Sequence, residues 1–336
     1  MTDQYQAFVN VLTACRRVLI TTHVRPDGDA IGTTAALALA LRAREIEPTV
    51  LLLSKLPTKY AFVYDDNGIR PVESFESWPA TLDLDSFDAL LVADTGTWSQ
   101  LPGLRQKLEP WDKPKLVLDH HLTQEDWATH RLVVTEAAAA AEVAAELIQF
   151  WGVPIDRAIA EALYVALVSD TGWFQFANTR PFTLRLAALL MEAGVDTDRL
   201  NIRLNQSERA ERVFLQTRAM QSLQLLHGQR VAVMTVTRDD FAATGAGVPA
   251  TENLVNVPLQ IGSVEVSLLF VEPPEGGPIR VSLRSKGGLD CAKFAQQFGG
   301  GGHARAAGMK VEGEADNVRA TVVKSLELCL NRPVAV

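Results

Sequence analysis

Three side chains of the types that bind divalent metals lie close together near the start of the chain. His23, Asp27 and Asp29 belong to the segment TTHVRPDGDAIG, residues 21–32. A neutral imidazole combined with hard carboxylate oxygens suits Mn, Co, Fe or Mg. The two aspartates could instead only cap the helix that follows, which is a common role for acidic residues at a helix start. This segment alone leaves both interpretations open.

Two later segments carry further groups of the same kinds. Asp94 ends the apolar run FDALLVAD and precedes Thr-Gly, while Asp119, His120 and His121 end the run KLVLDHH. Asp170 also precedes Thr-Gly, in SDTGWFQFANT, although a lone aspartate there could be an ordinary turn residue. Core packing is the usual explanation for one histidine. Two adjacent histidines after an aspartate favour a metal or catalytic site instead.

The elements that must position these groups alternate between strand and helix. A parallel sheet is expected, and its strands end at one common edge, so residues distant in sequence can converge there. Residues 54–80 contain several proline and glycine breakers and are expected to be irregular. The pattern predicts strands at 17–22, 48–53, 87–94, 115–119 and 131–135, and helices at 3–15, 30–44, 136–151 and 156–169.

Composition narrows the class of protein. A chain of 336 residues suggests two domains, and 47% hydrophobic with 21% charged residues describes a soluble globular protein. The N-terminus lacks a signal-peptide pattern and no stretch reaches membrane-spanning length, so a cytoplasmic location is expected. A formal net charge of −8 argues against long contact with duplex nucleic acid. The three cysteines are far apart, which predicts neither a disulfide framework nor a zinc knuckle.

A second α+β region is expected after a helical connector at residues 192–226. The pattern predicts strands at 229–237, 264–272 and 278–286 and helices at 289–298 and 315–330. The last two flank FGGGGHARAAG, residues 298–308. Consecutive glycines let the backbone approach an anion and direct several N–H groups at it, and His303 and Arg305 add donors. A flexible linker would also explain a glycine run.

Taken in order, the segments HVRPDGDAIG, VADTG, LDHH and SDTGWF resemble the four motifs of the DHH phosphoesterase family. The segments LRS and HARAAG resemble the DHH-associated domain that follows the catalytic domain in this family. The match spans nearly the whole chain and is most similar to the bacterial oligoribonuclease and 3′-phosphoadenosine 5′-phosphate phosphatase group. The motif has Gly32-Thr33 where Gly-Ser is common, which leaves the chemistry unchanged.

The resemblance implies an α/β fold with two domains. A parallel-sheet DHH domain with flanking helices would occupy residues 1–191, and the connector would occupy 192–226. A smaller α+β DHH-associated domain would occupy residues 227–336. The active site would lie in the cleft between the two domains.

The resemblance also implies two divalent ions, with Mn²⁺ expected and Mg²⁺ or Co²⁺ as alternatives. Such ions, held about 3.5–4 Å apart, activate a water and stabilise in-line displacement at phosphorus. Asp119 would orient a neighbouring imidazole, and His121 would contact the scissile phosphate or protonate the leaving oxygen. The implied ligands are His23, Asp27 and Asp94 for one ion, and Asp29, Asp94, His120 and Asp170 for the other, so that Asp94 bridges.

By the same resemblance, a set of residues in the second domain would bind the nucleotide and its terminal phosphate. This set combines positive charge, a hydroxyl and the glycine backbone. Its members are Arg284, Ser285, Gly300, Gly301, Gly302, His303 and Arg305.

The predicted function is Mn²⁺-dependent hydrolysis of short oligonucleotides to mononucleotides, removal of phosphate from 3′-phosphoadenosine 5′-phosphate, or both. One alternative is a phosphodiesterase acting on cyclic or linear dinucleotides. Another is a noncatalytic, nucleotide-binding regulatory protein. The segment FGGGGHARAAG argues against an inorganic pyrophosphatase with similar metal motifs. Expected partners are short single strands or small nucleotides, with neither membrane nor long duplex, and a homodimer is left open.

Overall fold

The computed structural model describes residues 2–75 and 77–330. The chain forms two compact units that divide between Ser207 and Glu208. The predicted connector, residues 192–226, therefore contributes to both units. The last six residues of the predicted second domain, 331–336, lie outside the described part of the chain.

The first unit contains a sheet with helices packed on both of its faces. Its strands are β1 (Arg17–Thr21), β2 (Glu47–Leu52), β3 (Val72–Glu73), β4 (Ala89–Ala93), β5 (Lys115–Asp119) and β6 (His130–Val133). Its helices are α1 (Thr2–Thr13), α2 (Gly28–Arg42), α3 (Ala61–Asp65), α4 (Arg105–Leu108), α5 (Ala140–Phe150), α6 (Arg157–Asp170), α7 (Pro181–Glu192) and α8 (Thr197–Asn205).

The six strands are all parallel and lie in the order β3-β2-β1-β4-β5-β6. In β1, Val18 and Ile20 pack into one hydrophobic cluster and Leu19 packs into another. Both faces of the sheet are thus covered, which explains the continuous apolar runs of its strands. The strand order reverses at β1, so the crevice between the ends of β1 and β4 is the expected ligand site. The predicted α/β architecture is confirmed.

Close packing of α2 against α6 brings two sequence-distant ends together. A Cβ on Gly32 would lie 2.3 Å from the carbonyl oxygen of Ala162, so only glycine permits this approach. The start of α2 carries Asp29, and α6 ends at Asp170. The helix pair therefore places two candidate ligands near each other.

Several short elements of the first unit differ from the expectation. Residues 54–80 were expected to be irregular, yet they contain α3 and β3. The strand β3 is only two residues long and is recognisable by its pairing with Leu51 and Leu52 of β2, a tertiary contact.

None of the helices within the described residues is long and apolar enough to cross a membrane.

The second unit is built on a mixed sheet. The strands lie in the order β11-β12-β10-β9-β8-β7, with β8 and β9 parallel and the other neighbours antiparallel. The predicted α+β organisation is confirmed. The strands are β7 (Gln224–Leu226), β8 (Val231–Val236), β9 (Val266–Val271), β10 (Ile279–Ser285), β11 (Gly301–His303) and β12 (Ala306–Val311), and the helices are α9 (Ala210–Gln221), α10 (Arg238–Thr244), α11 (Cys291–Gln296) and α12 (Ala315–Leu330).

Two expectations for this unit were wrong in detail. The helix expected to continue to residue 226 ends at Gln221, and the next residues form β7, which pairs with β8. No strand was predicted within the glycine run, but Gly301 to His303 form β11 and pair with β12.

Candidate metal centre

His23 and Asp27 follow β1 and lie at the crevice where the strand order reverses. The Nδ1 atom of His23 is 3.0 Å from the carbonyl oxygen of Val24, which fixes the ring. Its Nε2 atom is 3.4 Å from Asp94 Oδ2 and 3.8 Å from Asp27 Oδ1. Asp27 is also the N-cap of α2, where its Oδ1 accepts two backbone N–H groups. The capping interpretation is therefore right for Asp27, but the cap also holds this carboxylate beside His23.

Asp94 occupies the centre of the cluster. It follows β4, is 2% exposed, and has a φ angle of +63°. A residue other than glycine seldom adopts a positive φ, and strain of this kind is concentrated at functional sites. Its Oδ1 atom is buried and has no hydrogen-bond partner among the described residues. An unpartnered, buried carboxylate oxygen is costly, and a cation would satisfy it.

His120 connects Asp94 to two further carboxylates. Its Nε2 atom is 3.4 Å from Asp94 Oδ1, 3.4 Å from Asp170 Oδ2 and 3.7 Å from Asp29 Oδ2. Its Nδ1 atom is 3.1 Å from the carbonyl oxygen of Ala137. A backbone carbonyl at one ring nitrogen orients the other nitrogen toward a metal, as in many metal-binding histidines.

The spacing of these atoms fits shared ions. Separations of 3.4–3.8 Å are too long for good N–H···O hydrogen bonds. Two ligands bound at about 2.1 Å to one ion lie about 3.0–3.5 Å apart. Three sets of ligand atoms each lie within 4.8 Å of one another: His23, Asp27 and Asp94; Asp29, His120 and Asp170; and Asp94, His120 and His121. The structure thus gathers all six side chains that the sequence indicated as ligands.

Asp29 is buried against the start of α5. Its carboxylate accepts the N–H groups of Ala140 at 2.6 Å and Ala141 at 3.2 Å, and the hydroxyl of Thr33 at 2.9 Å. Burial raises the pKa of Asp29 well above its usual value, and the charge of Asp94 raises it further. The N-terminal N–H groups of α5 favour the charged carboxylate, so this helix end helps to hold an anionic ligand at the centre.

The histidines in this cluster attract protons. Burial lowers the pKa of His23, but the attraction of the nearby Asp27 and Asp94 carboxylates outweighs burial and raises the pKa to about 11. Burial likewise opposes a charge on His120, whose pKa is raised to about 10 chiefly by Asp94. Burial raises the pKa of Asp170 to about 6. The cluster is therefore strongly cation-attracting, and protons compete with metals for it.

Asp119 lies beneath the two histidines. Its Oδ1 atom accepts the backbone N–H of His120 at 2.7 Å and lies 2.8 Å from Nδ1 of His121. This hydrogen bond raises the pKa of His121, whose side chain is 55% exposed. Gln124, which the sequence analysis did not indicate, donates to Asp119 Oδ2 at 2.6 Å. Gln124 also forms a β-bridge with Gly96. The only sequence feature that relates to this residue is the Thr-Gly pair after Asp94, which contains its bridge partner.

Glu142 is a second residue that the sequence analysis missed. Its carboxylate is 1% exposed and accepts hydrogen bonds from the backbone N–H of Ala138 at 3.2 Å, from the hydroxyl of Thr183 and from the guanidinium of Arg180. The segment 137–141 that it holds provides the backbone partners of two candidate ligands. A lone charge within the run AAAAAEVAA was the available signal.

The candidate substrate-binding residues belong to the second unit. Register pairs His303 with Ala306, and Ala306 with Arg284 across β12. Directly paired residues project to the same face, so the imidazole and the guanidinium share a face with a small residue between them. His303 and Arg305 are exposed, whereas Ser285 is buried and its hydroxyl accepts the N–H of Gly287 at 3.0 Å.

The glycines of this segment have a structural role in the hairpin. A Cβ on Gly300 would lie 2.4 Å from the carbonyl oxygen of Gly308, and one on Gly302 would lie 2.4 Å from that of Ala306. Close approach of β11 to β12 therefore requires both glycines. Anion binding by Gly300, Gly301 and Gly302 stays a prediction.

Comparison with known proteins gives consistent matches. The profile described as "DHH family, N-terminal domain" matches residues 17–167, and the DHHA1 domain profile matches residues 228–331. The chain is 30% identical over 301 residues to the bifunctional oligoribonuclease and PAP phosphatase NrnA of Thermus thermophilus, covering 88% of this chain and 84% of that protein. It is 26% identical over 308 residues to the Bacillus subtilis protein of the same name, covering 90% and 92%.

A solved structure shares the fold. It is the crystal structure of an exopolyphosphatase-related protein from Bacteroides fragilis, with a TM-score of 0.86 and 22% sequence identity. The match covers 98% of this chain and 96% of that one.

Proposed function

This chain belongs to the DHH family, and from that premise we propose that it hydrolyses short oligonucleotides to mononucleotides and removes phosphate from 3′-phosphoadenosine 5′-phosphate. Relatives named for both activities match most of its length. The net charge of −8 favours short substrates over long duplexes, because it gives little attraction to many phosphates. The observation that carries the proposal concerns Asp94, which belongs to two of the ligand sets and whose buried Oδ1 atom has no hydrogen-bond partner among residues 2–75 and 77–330.

The six clustered side chains would hold two divalent ions. We assign His23, Asp27 and Asp94 to one ion, and Asp29, His120 and Asp170, with Asp94 shared, to the other. The donor set contains imidazoles and carboxylates without thiolate, which favours Mn²⁺, with Mg²⁺ or Co²⁺ as alternatives. When bound, two such ions supply Lewis-acid stabilisation of phosphoryl oxygens and activation of water.

His121 would act as the proton donor to the leaving oxygen. Asp119 lies at the Nδ1 atom of this ring, so the protonated imidazole carries its other proton on Nε2. The hydrogen bond to Asp119 raises the pKa of His121 and so favours the protonated form that a general acid requires. Its half-exposed side chain leaves that proton accessible to a substrate.

The second unit would bind the nucleotide and its terminal phosphate. The shared face of Arg284 and His303, and the exposure of His303 and Arg305, support this role. An arginine and an imidazole supply charge-assisted hydrogen bonds to phosphate. The assigned residues are Arg284, Ser285, Gly300, Gly301, Gly302, His303 and Arg305.

A substrate panel tests the proposed function. With Mn²⁺, the protein should release mononucleotides from a dinucleotide and a five-mer and phosphate from 3′-phosphoadenosine 5′-phosphate. It should leave pyrophosphate intact. Preferred turnover of a cyclic dinucleotide would favour the alternative phosphodiesterase, and nucleotide binding without turnover of any compound would support the noncatalytic regulator.

Asp94→Asn provides the residue-level test. It keeps the shape of the side chain but removes the charge that both ligand sets share. Loss of a residue that only hydrogen-bonds to a metal ligand costs up to about 100-fold in activity. Loss of the shared ligand itself should therefore lower turnover by more than about 100-fold. Asp126→Asn is the control, because its carboxylate is 98% exposed and its only ion pair within the described part of the chain is with Arg131. Wild-type turnover by a folded Asp94→Asn protein would refute the assignment.

A further inference from the structure

One aromatic ring beside the metal centre has no role in the hydrophobic core. Phe176 lies in the loop between α6 and α7, is 57% exposed, and belongs to none of the hydrophobic clusters of the described residues. Its loop neighbours Trp173 and Phe174 are partly buried and pack against the first core. Core packing therefore accounts for those two aromatic residues and leaves Phe176 unexplained.

The backbone that carries this ring is fixed in an unusual conformation. Gly172, Trp173 and Phe174 are consecutive and have φ angles of +54°, +57° and +65°. For residues other than glycine this left-handed conformation is strained, and it persists only where the surroundings enforce it. The N–H of Phe176 donates to the carbonyl of Thr171 at 3.0 Å, which closes the turn.

The ring is held close to a candidate metal ligand. A Cβ on Gly172 would lie 2.4 Å from Cζ of Phe176, so the ring lies directly over this glycine, two residues after Asp170. The amide of Asn178 donates to the carbonyl of Asp170 at 3.1 Å and to that of Ala138 at 2.9 Å. Both ends of the loop are thus anchored at the metal centre, and the side chain of Asp170 is itself 31% exposed.

We propose that Phe176 is a stacking platform for a nucleobase of the substrate whose phosphate is bound at the metal centre, an inference that rests on the proposed function. Every nucleobase has a π face, so stacking gives affinity without sequence preference. A ring on a fixed backbone also loses little conformational entropy on binding. The platform thus explains why a strained turn and a glycine present an exposed phenyl ring at this position.

The test compares the binding of two phosphate compounds, one with a nucleobase and one without. AMP and ribose 5-phosphate carry the same phosphate and sugar, and binding of each to the Mn²⁺-loaded protein is measured by calorimetry. Phe176→Ala should weaken AMP binding about 5- to 100-fold and leave ribose 5-phosphate binding unchanged. Phe176→Trp should keep or strengthen AMP binding. Phe150→Ala, with a ring 39% exposed at the far end of α5, is the matched control and should change neither.

Kinetics supply the second arm. Phe176→Ala should raise KM for a dinucleotide by a similar factor and leave kcat and Mn²⁺ affinity near wild type. If Phe176→Ala weakened the binding of AMP and of ribose 5-phosphate equally, or left AMP binding unchanged, the proposed stacking role of Phe176 would be overturned. Because these probes are not hydrolysed, a wild-type protein that binds AMP through Phe176 without any turnover would refute the proposed function and keep the platform.

Discussion

Replacing Glu142 would test whether metal affinity depends on a residue that is not itself assigned as a ligand. Glu142 holds the segment 137–141, whose backbone contacts Asp29 and His120. In Glu142→Ala the N–H of Ala138 loses the carboxylate that holds this segment, and the guanidinium of Arg180 loses its ion-pair partner. We expect the ion at the Asp29 and His120 set to bind more weakly, with little effect on the other ion.

The structure sets the magnitude of both effects. Removing one partner of a buried ion pair costs about 3–5 kcal/mol. Arg180 is 36% exposed and can be rehydrated, which reduces the expected loss of unfolding free energy to about 2–4 kcal/mol. Disrupting the partner that orients a metal ligand weakens metal binding about 10- to 100-fold.

A double variant separates positioning from stability. Glu142→Leu combined with Arg180→Leu removes both charges, so less stability should be lost than in Glu142→Ala, although the N–H of Ala138 and the hydroxyl of Thr183 lose their acceptor. The segment is still unanchored. Unfolding free energy is measured with urea in EDTA, and Mn²⁺ affinity is measured by electron paramagnetic resonance. Glu146→Ala is the control, because this residue of α5 bonds to the hydroxyl of Tyr5 at 2.8 Å instead. Wild-type affinity for both ions in the folded double variant would refute the reasoning.

Three further predictions concern protons and packing. At pH 8, Mn²⁺ binding should release about two protons, because the pKa values of His23 and His120 are raised to about 11 and 10; calorimetry in two buffers of different ionisation heat checks this, and equal heats would contradict it. Asp119→Asn should move the alkaline limb of the pH–rate profile to lower pH, because the carboxylate raises the pKa of His121; an unmoved limb would exclude His121 as the acid. Gly32→Val should reduce the unfolding free energy by about 1–3 kcal/mol or more through overpacking, and urea unfolding with an unchanged midpoint would rule out the close helix contact.

The sequence indicated the ligands because each lies at the end of a locally recognisable element. Asp94 and His120 follow the apolar runs that form β4 and β5, and His23 follows β1. Parallel pairing then brings these strand ends to one edge of the sheet. Local pattern and one topological rule indicated a shared edge, whereas the resemblance to the DHH family implied the full ligand set, including Asp170.

The residues that hold the ligands could not be found in this way. Glu142 acts through Arg180, 38 positions later, and its only local signal is a single charge within an alanine-rich run, which does not reveal that partner. Gln124 acts through a bridge to Gly96, which only the folded chain forms. The strand within the glycine run was missed because glycine is depleted in strands, whereas close approach to β12 makes part of the run a strand.

The central claim is that two ions share Asp94. Anomalous diffraction at the manganese edge, from crystals grown with Mn²⁺, tests it most directly. We predict two peaks per chain, one contacting His23 and Asp27, the other contacting Asp29, His120 and Asp170, and both contacting Asp94. A single peak, or peaks that do not contact Asp94, would contradict the account.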